Sequence, residues 1–275
     1  MTGEVSSDAN ACGIIAAAEA FVREELSGMD GSHDWWHIHR VRQNALSLAA
    51  EEKLPAESLE VVELAALLHD VRDWKYSGDA DAGADAVRDW LRGRKYPEDK
   101  AAAIVDIISR MGFKEELATA AGGGGGGSTV VILSSPEFKV VQDADRLDAI
   151  GAIGIARTFC YGGASGSPMH VPGVKPREKL TKEQYVSGGG VNGADGGDGD
   201  GEEEKKKKKK MKNIKNTCVL HNPPHVDTTI NHFHEKLLKL KGLMKSEAGK
   251  RRAEGRHRKM LQFLENFHAE WEGEE

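Results

Sequence analysis

The sequence predicts an all-α fold. In most segments apolar residues recur at the i, i+3, i+4, i+7 spacing of one buried helical stripe, as at Ile38, Val41, Ala45 and Leu48. The only run that resembles a strand is the short VVIL at 130–133. The chain has 275 residues, of which 39% are hydrophobic and 30% are charged, so it is long enough to bury a substantial core.

Three helices are expected in the first 74 residues. The first covers 13–28, where Gly28 can act as a stop. The second begins near Asp34 and runs to Pro55. Pro55 then opens a third helix that continues through the HD doublet at 69–70 to Trp74.

Five further helices are expected in the rest of the chain. They cover 82–93, 98–110, 137–160, 228–244 and 249–271. In the fourth of these, the stripe of Leu237, Leu238, Leu240, Leu243 and Met244 is either core or a dimer face, so a homodimer is one possible assembly.

Two segments have the composition of insertions. Residues 121–128 are a Gly tract, and residues 187–212 contain Gly and Asp, then Glu, then a Lys run at 205–210. Such composition is typical of disorder. The Lys run is either a nuclear-localisation or polyanion-binding patch, or a solvated linker that balances the acidic block beside it.

Charge and cysteine content exclude several classes of protein. The 38 basic and 44 acidic residues give a net charge of −6, which argues against a specific nucleic-acid binder but allows a nucleotide whose charge is met by a divalent cation. Three widely spaced cysteines predict neither a disulfide framework nor a zinc ribbon, and no apolar run is long enough to span a membrane. A cytoplasmic protein is expected, with a nuclear location as the alternative if the Lys run is a localisation signal.

The most informative residues are His69 and Asp70, which end the apolar run ALL at 66–68. Two ionisable side chains at the end of a buried stripe are costly unless they are paired or bind a metal. Further His and Asp residues stand in the segments 33–40, 71–75 and 142–148. Imidazole and carboxylate ligands without thiolates suit a hydrolytic Mn²⁺, Fe²⁺, Mg²⁺ or Zn²⁺ site rather than a structural zinc site.

The order of these motifs resembles the H…HD…D signature of the HD-domain superfamily of metal-dependent phosphohydrolases. The matching segments are HIHRV at 37–41, the HD doublet at 69–70 and ADRL at 144–147. The resemblance implies an all-α helical bundle around one divalent metal, with Mn²⁺ as the first choice and Mg²⁺, Fe²⁺ or Zn²⁺ as alternatives. It implies that the metal ligands are His37, His69, Asp70 and Asp145.

Longer segments resemble one subgroup, the bacterial-type HD proteins that hydrolyse (deoxy)nucleoside triphosphates to monophosphate and pyrophosphate. The similarity covers roughly 20–187 and 226–272. Together with composition it predicts a flexible N-terminus at 1–12 and an HD domain over 13–186 and 226–275. The Gly-rich loop at 121–128 and the disordered insertion at 187–225 depart from the compact pattern of the subgroup. The resemblance also implies a nucleotide substrate. A 5′-nucleotidase or phosphodiesterase, and a non-catalytic nucleotide-binding scaffold, are the alternatives.

Other residues near the motifs have two interpretations each. The resemblance implies that Asp73 is the catalytic acid or base, whereas a surface carboxylate paired with a neighbouring cation is the alternative. Lys75 is a candidate substrate-binding residue for phosphate or a solvated side chain. His33 is a candidate for substrate binding, or for replacing His37 as ligand, unless it belongs with Asp34 to the helix N-terminus.

The segment 142–148 leaves three assignments open. Asp143 competes with Asp145 as ligand, and residues two apart lie on nearly opposite sides of a helix. Arg146 is either a substrate-binding phosphate clamp or a structural ion-pair donor. Asp148 is a candidate for a residue that does not bind the metal itself but orients a His or Arg through a hydrogen bond.

Overall fold

The protein is described here by a computed structural model that covers residues 5–72, 82–111, 135–177 and 227–274, with the backbone alone for 5–12. Within these ranges the chain is helical and contains no strand, which confirms the all-α prediction. The α-helices are α1 (Val5–Glu25), α2 (Trp35–Glu51), α3 (Ala56–Leu68), α4 (Ala82–Gly93), α5 (Glu98–Arg110), α6 (Pro136–Asp148), α7 (Gly151–Ser165), α8 (Thr229–Glu235) and α9 (Glu247–Glu272). A 3-10 helix covers Leu237–Leu243. The Gly tract, the VVIL run and the low-complexity insertion lie outside the described residues.

Several helix boundaries follow the local signals in the sequence. Asp34 is the N-cap of α2, and its side chain accepts a hydrogen bond from the His37 backbone N–H at 3.1 Å. Pro55 precedes α3 as expected, and α4 and α5 begin and end at the predicted residues. The predicted third helix was too long, because α3 ends at Leu68 and the HD doublet lies in the turn that follows.

The predicted helix at 137–160 is wrong as a single element. The chain breaks between α6 and α7 at Ala149 and Ile150, and Gly151 has a φ of +75°. A Cβ at residue 151 would lie 2.8 Å from the Cβ of Arg256 on α9. A long-range contact therefore requires glycine at the break, and a periodic pattern of apolar and small residues does not reveal it.

The predicted helix at 228–244 is also divided, into the short α8 and the 3-10 helix. Leu237, Leu240 and Met244 are buried, so this stripe belongs to the core rather than to a dimer face. A homodimer stays a prediction.

The core joins the helices before and after the insertion. α2 packs against both α3 and α6, and fully buried side chains such as Ile38, Leu64 and Leu147 fill the space between them. α7, α8 and α9 contribute to the same core. None of the described helices combines the length and apolarity needed to cross a membrane.

Candidate metal centre

His37 is held on the first turn of α2. Its helix is anchored in the core by Ile38 and Val41, which are fully buried, and its own side chain is only 1% exposed. Because Asp34 caps this turn through the His37 backbone N–H, the start of the helix and the position of the imidazole are set together.

His69 and Asp70 are held where α3 ends. His69 is the C-cap residue, and the fully buried Leu67 and Leu68 precede it. Two residues after Asp70, Arg72 adopts a left-handed φ of +51° and donates two hydrogen bonds of 3.0 Å to Glu25 at the end of α1. The HD doublet thus lies on a tight turn, and Arg72, at the end of this turn, is hydrogen-bonded to α1.

The side chains from these two elements converge on one point. Asp70 lies with Oδ2 3.2 Å from His37 Nε2 and Oδ1 3.5 Å from His69 Nε2. The two imidazole rings are 5.3 Å apart between centroids. Within the described part of the chain, these three residues form a group whose ligand atoms all lie within 4.8 Å of one another, as a metal site requires.

The neighbouring aspartates of α6 have different surroundings. Asp145 Oδ1 lies 3.5 Å from His37 Nε2 and 3.8 Å from His69 Nε2, so it faces the same point. Asp143 is fully buried on another side of α6, where it accepts hydrogen bonds from the backbone N–H groups of Lys245 and Ser246 and from the Ser246 hydroxyl. This geometry favours Asp145 over Asp143 as the fourth ligand.

Both imidazoles have a defined tautomer. His37 Nδ1 lies 2.8 Å from Asp148 Oδ2, and His69 Nδ1 lies 2.9 Å from the carbonyl oxygen of Ala66. A carboxylate and a carbonyl oxygen only accept, so each Nδ1 carries the proton and donates it. When the imidazoles are neutral, as metal ligation requires, their lone pairs are therefore on the two Nε2 atoms, which face Asp70 and Asp145.

Neighbouring positive charges and hydrogen bonds lower the pKa of Asp70 and of Asp148. Burial raises the pKa of Asp70, but the charges of His69 and His37 and a hydrogen bond to His37 hold that pKa well below its usual range. Burial and the charge of Arg157 lower the pKa of His37, but hydrogen bonds to Asp148 and Asp70 outweigh them, so its pKa lies above its ordinary value. The pKa of Asp148 is lowered by its hydrogen bonds to His37 and Arg40, against the opposing effect of burial.

A divalent cation fits this arrangement of atoms. His69 Nε2 is buried and has no hydrogen-bond partner, although buried polar atoms normally have one. The two Nε2 atoms and the carboxylate oxygens lie 3.2–3.8 Å apart, so a positive charge is needed between them, either a proton on the imidazole or a bound cation. Ligand atoms about 2.0–2.2 Å from a common cation have a similar separation from one another. His37, His69 and Asp70 thus form a possible metal site with Asp145 beside it.

The other predicted site residues lie in different places. The His33 ring stands 6.2 Å from the His37 ring, just before α2, so it is close to the cluster without sharing the helix. Arg146 is buried and donates a hydrogen bond to the Leu243 carbonyl, so its described contact is structural, and its role as a phosphate clamp stays a prediction. Asp73 and Lys75 lie outside the described residues.

Sequence reasoning missed two arginines behind the cluster. Asp148 was expected to hold a His or Arg, and it holds His37, Arg40 and Arg157 together. Arg40 Nε and Nη2 donate to it at 2.8 and 3.0 Å, and Arg157 Nη1 lies 3.2 Å from Oδ2. Arg40 was visible as the arginine of the HIHRV motif. Arg157 had no local signal, because its partners are far away in sequence.

Several known proteins are similar to this chain. A family model for the HD domain matches residues 35–150. The uncharacterized protein YpgQ of Bacillus subtilis is 30% identical over 244 residues, which cover 89% of this chain and 87% of YpgQ. A crystal structure of an HD-superfamily hydrolase from Bacillus thuringiensis is 35% identical, covers 96% of this chain and 99% of its own, and has a TM-score of 0.60. A structure from Lactobacillus plantarum is 31% identical with 98% of both chains covered and a TM-score of 0.65.

The chain therefore belongs to the HD-domain superfamily of hydrolases. HD domains bind divalent metals, and the fold indicates a metal-dependent phosphohydrolase. YpgQ has also been crystallised in complex with ADP, and that structure matches this chain with 25% identity, 94% of this chain and 96% of YpgQ covered, and a TM-score of 0.55.

Proposed function

We propose that this protein hydrolyses nucleoside triphosphates to monophosphate and pyrophosphate, with a divalent metal, Mn²⁺ as the first choice, held by His37, His69, Asp70 and Asp145. The observation that carries the proposal is the convergence of the His37 and His69 Nε2 atoms on the carboxylates of Asp70 and Asp145. The complex of the related YpgQ with ADP supports a nucleotide as the ligand. The choice of bond rests on the resemblance to HD-type pyrophosphohydrolases.

The charge of the site explains why an anionic substrate needs the cation. Asp70, Asp145 and Asp148 contribute three negative charges, and among the described residues the guanidinium groups that contact them are those of Arg40 and Arg157. With both imidazoles neutral, as metal ligation requires, the carboxylates exceed these guanidinium groups by one, which disfavours a bound phosphate group. A bound divalent cation makes the net charge of the site positive and acts as a Lewis acid toward water and phosphate oxygens.

We expect nucleotide binding to be lost when the metal is chelated. Calorimetric titration with ADP, with and without EDTA, measures this loss.

The residues of this chain have distinct roles in the proposed reaction. Asp148 and the Ala66 carbonyl orient the two imidazoles and keep their Nδ1 atoms protonated. His33 and Lys75 bind the phosphates of the nucleotide. Asp73, three residues after Asp70 in the sequence, exchanges protons with the attacking water or the leaving group.

A nucleotide panel tests the proposed reaction. Purified protein is incubated with Mn²⁺ and ribo- and deoxynucleoside triphosphates, monophosphates and a cyclic dinucleotide, and the products are separated by ion exchange. Pyrophosphate and a monophosphate in equal amounts are expected. Release of inorganic phosphate from monophosphates would instead identify a 5′-nucleotidase, and cleavage of the cyclic dinucleotide would identify a phosphodiesterase. Full metal loading without turnover of any substrate would support a nucleotide-binding scaffold.

Asp73→Asn tests the proposed acid or base. We expect kcat to fall by about 10²- to 10⁴-fold, because the amide cannot exchange the proton. The bound Mn²⁺, measured by atomic absorption, is expected to stay at the wild-type level, since Asp73 is not a proposed ligand. The matched variant Asp34→Asn keeps its capping oxygen and should leave kcat unchanged. A wild-type kcat in Asp73→Asn would remove this residue from the mechanism.

A further inference from the structure

Arg157 connects two parts of the site that come from different regions of the chain. It lies on α7, and its side chain is only 12% exposed. Its Nε donates to the carbonyl oxygen of Ser32 at 2.8 Å, while its Nη1 lies 3.2 Å from Asp148 Oδ2. One guanidinium thus contacts both the turn before α2 and the carboxylate that orients His37.

The turn that Arg157 contacts is the one that positions His33. The buried Ser32 donates its hydroxyl hydrogen to Asp30, and the same oxygen lies 2.7 Å from His33 Nδ1. Since a hydroxyl has one hydrogen, and the Asp30 carboxylate accepts it, His33 Nδ1 donates to Ser32. The His33 ring is also in edge contact with Tyr161, one turn after Arg157 on α7. The position of His33 therefore depends on Ser32 and on α7.

We propose that Arg157 is a positioning residue that fixes the His33 turn relative to the Asp148–His37 pair and thereby sets the distance between substrate phosphate and metal. The part that concerns the substrate rests on the proposed function, because His33 is the proposed phosphate contact. The part that concerns His37 rests on the metal centre alone.

The shape of the side chain makes arginine specific for this role. The guanidinium is a rigid plane with donors on separate nitrogens, so Nε and Nη1 can satisfy two acceptors at once. Lysine has one nitrogen on a flexible chain, so it can keep the charge next to Asp148 without holding the Ser32 carbonyl. Arg157→Lys therefore separates the two contacts, whereas Arg157→Met removes both.

The experiment measures binding to the full-length protein by calorimetry, first of Mn²⁺ alone and then of ADP in saturating Mn²⁺. For Arg157→Lys we expect Mn²⁺ affinity within about twofold of wild type and ADP affinity lowered by about 5- to 10-fold, the loss of one hydrogen bond in a charged site. For Arg157→Met we expect both affinities to fall, that for Mn²⁺ by about 10- to 100-fold, as when the partner of a metal-ligating histidine is disturbed.

A matched control is Arg42→Lys with Arg42→Met, because Arg42 is also partly buried and pairs with two carboxylates, Glu19 and Glu63, away from the cluster. These variants are expected to lower the melting temperature and leave both affinities unchanged. The proposal is overturned if Arg157→Met lowers the melting temperature but leaves both affinities unchanged, or if Arg157→Lys binds ADP as tightly as wild type. Binding does not require turnover, so absent hydrolysis by the wild-type protein would count against the proposed function and not against this role.

Discussion

His69→Ala is expected to remove bound Mn²⁺ and to lower hydrolysis by more than about 100-fold, since disturbing even the outer partner of a ligand costs 10- to 100-fold. The reason is geometric: His69 Nε2 is a buried atom without a hydrogen-bond partner, and it faces both Asp70 and Asp145. The substitution takes away one of the three grouped ligands. Metal content by atomic absorption and the initial rate on the best substrate of the panel measure both effects.

His39→Ala is the matched control for this prediction. His39 lies on α2 two residues after His37, but its ring is half-buried next to Trp36 and contacts Gln43. Metal content and rate are expected to stay at the wild-type level. Full Mn²⁺ loading of His69→Ala, or equal losses in both variants, would show that the metal is not held at this cluster.

Gly249→Ala is expected to lower the free energy of unfolding by about 2–4 kcal/mol. A Cβ at this position would overlap Asp143 Oδ2 and lie 2.8 Å from Ser246 Oγ. Asp143 is fully buried and accepts from the N–H groups of Lys245 and Ser246 and from the Ser246 hydroxyl, which itself caps α9 through the Gly249 N–H at 3.0 Å. Displacing this carboxylate leaves several buried donors without their acceptor. Urea unfolding followed by circular dichroism measures the change.

Gly255→Ala on the same helix is the matched control. Nothing lies within 4 Å of the Cβ that it would add, so the substitution acts through the backbone alone. Alanine in a helix interior is favoured over glycine by about 0.5–1 kcal/mol, so this variant is expected to be more stable than wild type. Equal stability of Gly249→Ala and Gly255→Ala would contradict the proposed role of Asp143 in joining α6 to α9.

The sequence alone predicted the helices whose ends carry local signals. Asp34, Pro55 and Pro97 mark the starts of α2, α3 and α5, and each acts within a turn of its own position. The break between α6 and α7 escaped, because Gly151 is explained by Arg256, a residue more than 100 positions later. The 3-10 helix was also missed. Its apolar residues have the spacing of an α-helix, although its backbone is not α-helical.

The sequence by itself determined the chemistry of the site: the kinds of ligand, their order along the chain, and the superfamily they define. The tertiary structure decided how those side chains are oriented. It showed that Asp145 faces the imidazoles while Asp143 holds the start of α9, and that Asp148 and Arg157 connect the metal cluster to the His33 turn. The physical reason is distance along the chain. A motif records which residues are neighbours in sequence, but His37 and Asp148 are 111 positions apart, and only packing of α2 against α6 brings them together.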